Sequence, residues 1–207
     1  MTIDVKAAGK SGKRARSKAA NRRAILNAGR RVFARIGFEA TTVRDIIRET
    51  DLAAGTFYNY FKSKEEVFEA IAEDSTYRFR DMLKDVRASA RTAQDYMHDA
   101  YYAYFSFMAE ENRQAIEDGA PHIALIGVRV DTPEMSAVAA EISSDLERIL
   151  SADKSSHIDI EYLTAAAIGI AREMGEIMLL RRPVDVEGAT EFASRMVMAG
   201  VRELAAK

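Results

Sequence analysis

Cysteine is absent from the 207-residue chain. Its absence excludes a disulfide framework and any thiolate metal site, and fits a reducing compartment. No stretch of about 18 apolar residues occurs, so no membrane-spanning helix and no membrane partner are expected. The basic positions near the N-terminus are not followed by an apolar run. A secretory leader is therefore not expected, and the cytoplasm is the expected location. Alternating strand patterns, internal repeats and low-complexity tracts are missing beyond the first residues. His98, His122 and His157 are scattered, with no carboxylate at ligand spacing, so no metal site is expected. Neither a nucleophile–base arrangement nor a phosphate-cradling glycine loop is present, so the chain is not expected to be an enzyme and no residue is nominated as catalytic.

What is present is ordinary globular material, with 48% hydrophobic residues. The net charge of −2 hides an asymmetry. Residues 1–68 hold 15 Lys/Arg against 7 Asp/Glu, and residues 69–207 hold 15 against 25. A basic end and an acidic body fit a protein that offers one end to a polyanion, or one with a basic tail that aids solubility.

The hydrophobic repeat reads as all-α, with about nine helices. Residues 1–19, with six Lys/Arg among Gly and Ser, read as a disordered basic arm. It either stays solvated or reaches DNA, with Arg14 and Arg16 near a minor groove or phosphates. Residues 20–66 read as a helix-turn-helix domain. Ile25, Val32, Phe33 and Ile36 repeat at helical spacing, and Gly37 is placed to end that helix in a left-handed conformation. Thr42 and Asp45 form a capping-box-like pair before Val43, Ile46 and Ile47. A break at residues 51–55 precedes a short helix over 56–61. Ser63 and Glu66 supply a second capping box and open a long helix, with Val67, Phe68, Ile71, Met82, Leu83 and Val86 on its buried side.

The segment Thr41–Phe61 carries the function. Two short helices joined by a tight turn are the geometry that lays one helix in a major groove while the other braces it. Leu52, Ala53, Ala54 and Gly55 are small enough, apart from the leucine, to let the helices approach. Thr56, Tyr58, Asn59 and Tyr60 are then exposed, while Val43, Ile46, Ile47, Leu52 and Phe57 are buried against the first helix. A helical hairpin that never meets DNA is the alternative, but Tyr58, Asn59 and Tyr60 in succession cannot all face one core.

From about Arg22 to Ala72 the chain resembles the DNA-binding domain of the TetR family. The matching pieces are Phe33-x-x-x-Gly37-Phe38, Thr41-Thr42-Val43-x-Asp45-Ile46, Gly55-Thr56-Phe57-Tyr58-x-Tyr60-Phe61 and Lys62-Ser63-Lys64-Glu65-Glu66. They occur in order and at family spacing over about a quarter of the chain. The resemblance implies that Thr42 binds a phosphate through its hydroxyl and backbone N–H at a helix N-terminus. It implies that Arg44 reaches the groove, that Thr56 and Tyr58 touch phosphate or a thymine methyl, that Tyr60 meets the backbone and that Lys64 binds a phosphate. Ala54 and Gly55 lie at the same surface. Ala53 and Ala54 replace a polar cap and a lysine common in the family, which removes one cap and one phosphate contact. Asn59 stands where histidine is common and suits adenine.

Residues 67–207 are then expected to bind an effector and to dimerise. Tyr101, Tyr104, Phe105 and Met108 lie on an aromatic helix that reads as buried on all sides, and with Met174 they are the expected ligand pocket. His98 and tyrosine hydroxyls are candidates for its polar contacts. The expected effector is a bulky, largely apolar small molecule, with no other cofactor. Residues 165–200 of the last two helices carry many small residues and an apolar stripe, from which Ile170, Met174, Ile177, Met196, Val197 and Val201 are the expected dimer interface. The whole implies a homodimeric, ligand-responsive repressor on a palindromic operator in double-stranded DNA. A nonspecific architectural DNA binder and an activator are the rival readings.

Overall fold

Gly37 ends the first helix as its position predicts: its φ is 80° and its N–H donates to the Phe33 carbonyl at 2.9 Å. The computed structural model describes residues 5–120, 133–152 and 158–206. Among these residues every regular element is a helix, nine in all: α1 (Val5–Ile36), α2 (Val43–Arg48), α3 (Ala54–Tyr58), α4 (Lys64–Ser89), α5 (Ala93–Glu111), α6 (Arg113–Glu117), α7 (Pro133–Ala152), α8 (Ile160–Leu180) and α9 (Val186–Ala205). Each long helix starts or stops where local chemistry says it should. Thr92 and Asp95 form a full capping box for α5, and Asp159 and Asp185 cap α8 and α9 through their side chains. Pro133 is the first residue of α7, where its missing N–H costs nothing.

One expectation fails at the N-terminus. The residues read as a disordered arm are, from Val5 onward, the first half of α1. Nothing buries residues 15–20. The helix is nucleated further along, where Ile25, Leu26 and Phe33 are packed, and Ala, Lys and Arg propagate it outward at little cost.

Two cores organise the chain. The smaller joins Ile25, Leu26, Phe33, Ile46, Phe57, Phe61, Val67 and Ile71 from α1–α4. The larger joins α4, α5, α7, α8 and α9 around Phe79, Leu83, Tyr96, Phe105, Val138, Leu146 and Leu179. Helix α4 belongs to both. Val67 and Ile71 lie in the first core, and Phe79, Leu83 and Val86 in the second. The boundary expected after Glu66 therefore falls in the first turn of a continuous helix. Close approach of α1 to α4 rests on Gly29, where an added Cβ would meet Val67 Cγ1 at 2.8 Å. Ion pairs brace the same junction: Arg30 of α1 reaches Asp74 at 3.0 Å and Glu111 at 3.4 Å, and Arg78 of α4 pairs with both carboxylates.

Candidate nucleic-acid interface

The surface is built on α2 and α3, which are too short to persist alone. Tertiary contacts hold them. Ile46 and Phe57 are fully buried, and Val43, Ile47, Leu52 and Tyr60 pack partly buried around them. Glu49, just past α2, receives Arg31 Nε at 2.8 Å and Arg35 Nη1 at 3.1 Å from α1. The Arg31 hydrogen bond leads the effects that hold its carboxyl below the ordinary value of 4.5. In the turn, the Thr50 hydroxyl donates to the Ile47 carbonyl at 2.8 Å and accepts from Leu52 N–H at 3.2 Å. Glu49 and Thr50 escaped the sequence reading, although a Glu flanked by two arginines on a neighbouring helix carried a signal in its charge.

Helix α3 runs from Ala54 to Tyr58, earlier than the expected 56–61, and Asn59 is its C-cap. Ala53 occupies the N-cap without any side-chain hydrogen bond, so the loss of a cap read from the sequence is real. Gly55 sits inside α3 rather than in the turn. It is exposed, and an added Cβ would meet nothing within 4 Å. Helix packing therefore does not require this glycine.

Arg44, Ala54, Tyr58 and Asn59 are exposed, and Thr56 and Tyr60 are half-buried. Tyr58 is 57% exposed although its neighbour Phe57 is 0% exposed, and the rings meet edge to face at 5.5 Å. One side chain locks the helix and the next projects from it. Two expected phosphate ligands are differently engaged. Thr42 donates its hydroxyl to Asp45 Oδ2 at 2.6 Å and its N–H to the same oxygen at 2.9 Å. These bonds, the hydroxyl's first, hold the Asp45 carboxyl below its ordinary range. Lys64 donates from Nζ to the carbonyls of Phe38 and Glu39 at 2.8 and 3.0 Å and lies over the Phe38 ring. It clips the α1–α2 loop to α4. The second capping box is also altered: Ser63 accepts from Glu66 N–H, but Glu66 Oε2 accepts from Lys62 N–H instead.

Residues 25–71 match the sequence model of the bacterial regulatory proteins of the tetR family. This stretch is therefore similar to the DNA-binding domain of tetR-family regulators. It is 32% identical over 100 residues to the HTH-type transcriptional regulator YfiR of Bacillus subtilis, covering 48% of this chain and 44% of that one. It is 25% identical over 164 residues to the HTH-type transcriptional regulator TcmR of Streptomyces glaucescens, covering 75% and 72%. The match thus spans less than half the length of the Bacillus relative. A crystal structure of the transcriptional regulator FadR from Bacillus subtilis in complex with stearoyl-CoA has the same fold, with a TM-score of 0.67 at 17% identity over 86% of this chain and 97% of that one. All three of these proteins are described as transcriptional regulators.

The second domain holds a cavity of about 60 Å³ among α4, α5, α7 and α8. Phe79, Leu83, Tyr96, Tyr101, Tyr104 and Ile142 are among its walls. Phe105, Met108 and Met174, expected there, do not line it. Helix α5 turns Tyr101 and Tyr104 toward the cavity, whereas Phe105 and Met108 are packed in the core, 0% and 3% exposed. Met174 lies across α8, on a depression shared with α9. Nor is α5 buried on all sides, since Tyr102 is 46% exposed. The Tyr101 hydroxyl donates to the Ala167 carbonyl at 3.1 Å, and burial pushes the Tyr104 hydroxyl up to about 12. His98 is half-exposed, 3.1 Å from Asp99, and is not a cavity residue; His122 and His157 lie outside the described residues. Among the described residues no group of His, Asp or Glu could hold a metal, and no helix is long and apolar enough to cross a membrane.

The outer faces of α8 and α9 form an apolar surface. Tyr162, Ile177, Leu180, Phe192 and Met196 are 44–77% exposed, and Ile170 and Met174 are half-buried among them. Val197 and Val201, only 6% exposed, form the floor of the groove between the two helices.

Proposed function

We propose that the chain is a ligand-responsive, sequence-specific transcriptional repressor that binds a palindromic operator as a homodimer in the cytoplasm. One observation carries this reading: Phe57 is buried completely while Tyr58 and Asn59, next in sequence, are exposed, as is Arg44 on α2. A buried anchor with polar and aromatic side chains displayed on a fixed short helix is what major-groove reading requires. Arg44 suits guanine, Asn59 suits adenine, and Thr56, Tyr58 and Tyr60 suit phosphate or a thymine methyl. Ala54 and Gly55 let the backbone come close to the duplex. Phosphate contact at Thr42 requires its donors to be shared with or taken from Asp45, and Lys64 keeps one ammonium proton for the duplex beyond the two carbonyls it serves.

The apolar α8–α9 surface supports dimerisation through Ile170, Met174, Ile177 and Met196, with Val197 and Val201 beneath. Two copies related by a two-fold axis would present their reading helices to successive major grooves, about 34–36 Å apart.

The effector site is the cavity beside Tyr101 and Tyr104. At about 60 Å³ it is far smaller than the roughly 300–1,000 Å³ of ordinary ligand sites. A bulky ligand needs more room, which parting α4 and α7 from α5 and α8 would supply. Because α4 also carries Val67 and Ile71 of the reading head, that movement changes head spacing. A coupling of about 1–3 kcal/mol weakens operator binding 5- to 150-fold. The apolar walls favour a largely apolar, uncharged body in the effector, and the stearoyl-CoA bound by a protein of this fold is consistent with that class.

Selection of bound duplexes from a random pool tests the reading. A palindrome with half-sites one helical turn apart, lost on Tyr58→Ala, is the expected result. Affinity independent of sequence would replace it with a nonspecific DNA binder.

A further inference from the structure

Helix α1 is 32 residues long, but only its second half belongs to the head. Residues 5–29 hold eight Lys/Arg and no Asp/Glu. Lys6, Lys10, Arg14, Lys18 and Arg22 recur at every fourth position, so the helical repeat stacks these positions along one ridge. Like charges at that spacing repel, and residues 15–20 are all exposed, with no burial there to offset the repulsion. Such a ridge gains from a polyanion.

Its placement says which one. Arg22 lies 5.7 Å from the ring centre of Phe61, three residues beyond the end of α3, and Ile25 and Leu26 share a core with Phe57 and Phe61. Helix α1 therefore leaves the head beside the end of the reading helix. At 1.5 Å per residue it continues roughly 25 Å past Arg22. That distance equals about seven base pairs of a duplex with 3.4 Å rise.

We infer that the N-terminal half of α1 is a second DNA-binding element, a basic helix that lies along phosphates flanking the operator. It rests on the operator-binding reading and adds to it a wider, sequence-independent footprint. It also supplies charge where the recognition helix has Ala54 and where Lys64 faces inward.

The test uses the full chain and a variant with Lys10→Gln, Arg14→Gln and Lys18→Gln, which keeps good helix formers at all three positions. Binding is measured from 50 to 300 mM salt on two duplexes carrying the selected site, one trimmed to it and one with ten flanking base pairs on each side. On the flanked duplex the variant is expected to bind roughly tenfold or more weakly at 100 mM salt, with a log–log salt slope shallower by about two units or more. On the trimmed duplex the two proteins should differ much less. Equal affinity and slope on the flanked duplex would overturn the inference, and so would a loss as large on the trimmed one. Vesicles of anionic phosphatidylglycerol serve as a competitor surface: binding lost in the variant there, with DNA binding unchanged, would reassign the helix to membranes. If the inference alone fails, Tyr58→Ala still abolishes operator binding; a wild type that selects no duplex sinks both.

Discussion

Arg87 of α4 donates from Nε to Oδ2 of Asp145 on α7 at 2.6 Å. The same oxygen accepts from the Tyr96 hydroxyl at 3.2 Å, and Asp145 is only 5% exposed. One turn earlier on α7, Glu141 pairs with Arg80 and also with Arg87, at 3.4 Å. Tyr96 is a wall of the cavity. The cavity wall is thus tied by two hydrogen bonds to the helix that carries the reading head.

Tyr96→Phe keeps the ring and removes one of those bonds. It is expected to cost about 1 kcal/mol in urea unfolding and to leave operator affinity nearly unchanged while altering the response to ligand. Asp145→Asn removes the negative charge that Arg87 faces, so a larger loss of about 1.5–3 kcal/mol is expected. An unchanged urea midpoint for both variants would show that the clamp holds nothing.

Tyr58→Ala and Phe57→Ala separate reading from folding. The first removes an exposed ring, so stability should stay within about 0.5 kcal/mol while operator affinity falls at least tenfold. The second empties a fully buried site and should cost about 3–5 kcal/mol. Thermal melts and gel shifts on the same preparations distinguish the two.

Gly55→Ala should stabilise the head slightly, by about 0.4–1 kcal/mol, because the helix accepts alanine and the new methyl meets nothing. Operator binding should nevertheless weaken, since the methyl stands where the backbone approaches the duplex. A variant that is more stable and binds DNA as before would show that Gly55 makes no close approach.

Acid should loosen the head through Glu49. Its folded-state value is depressed, chiefly by Arg31, so the stabilisation is complete above 4.5 and disappears as pH falls through the lower folded value. Glu141 behaves alike, held down chiefly by Arg80. Melting temperature should therefore drop between about pH 5 and 3, and less steeply in Glu49→Gln. Parallel curves would remove Glu49 from the account.

Ile177→Glu combined with Phe192→Glu places charge on two exposed positions, so the monomer should fold normally. Sedimentation should report a shift from dimer to monomer, with operator affinity falling accordingly. A dimer that survives both changes would move the interface elsewhere.

The helix-turn-helix was legible because its signals are local. Gly37 needs its left-handed turn, Thr42 with Asp45 caps a helix, and Phe57 followed by Tyr58 alternates between burial and display within one turn. The cavity was less legible. Tyr101 and Tyr104 were found, but Phe105 and Met108 share their helix and chemistry and differ only in which neighbour they face. The tie from Tyr96 through Asp145 to Arg87 joins residues 49 and 58 positions apart, a separation no sequence period connects.

The sequence alone determined most of the helices beyond residue 20, several of their caps, the likeness of residues 25–71 to a known DNA-binding domain and the exposure of Tyr58 beside buried Phe57, because hydrogen bonding and amphipathic spacing act over a few neighbouring residues. Tertiary structure decided that Thr42 and Lys64 give their donors to partners within the chain, that the cavity is small, and that α1 runs back through its basic residues to Val5. Those outcomes depend on which surfaces meet once the chain is packed: a donor's partner, a void's size and a helix's anchor are set by distances between elements far apart in sequence.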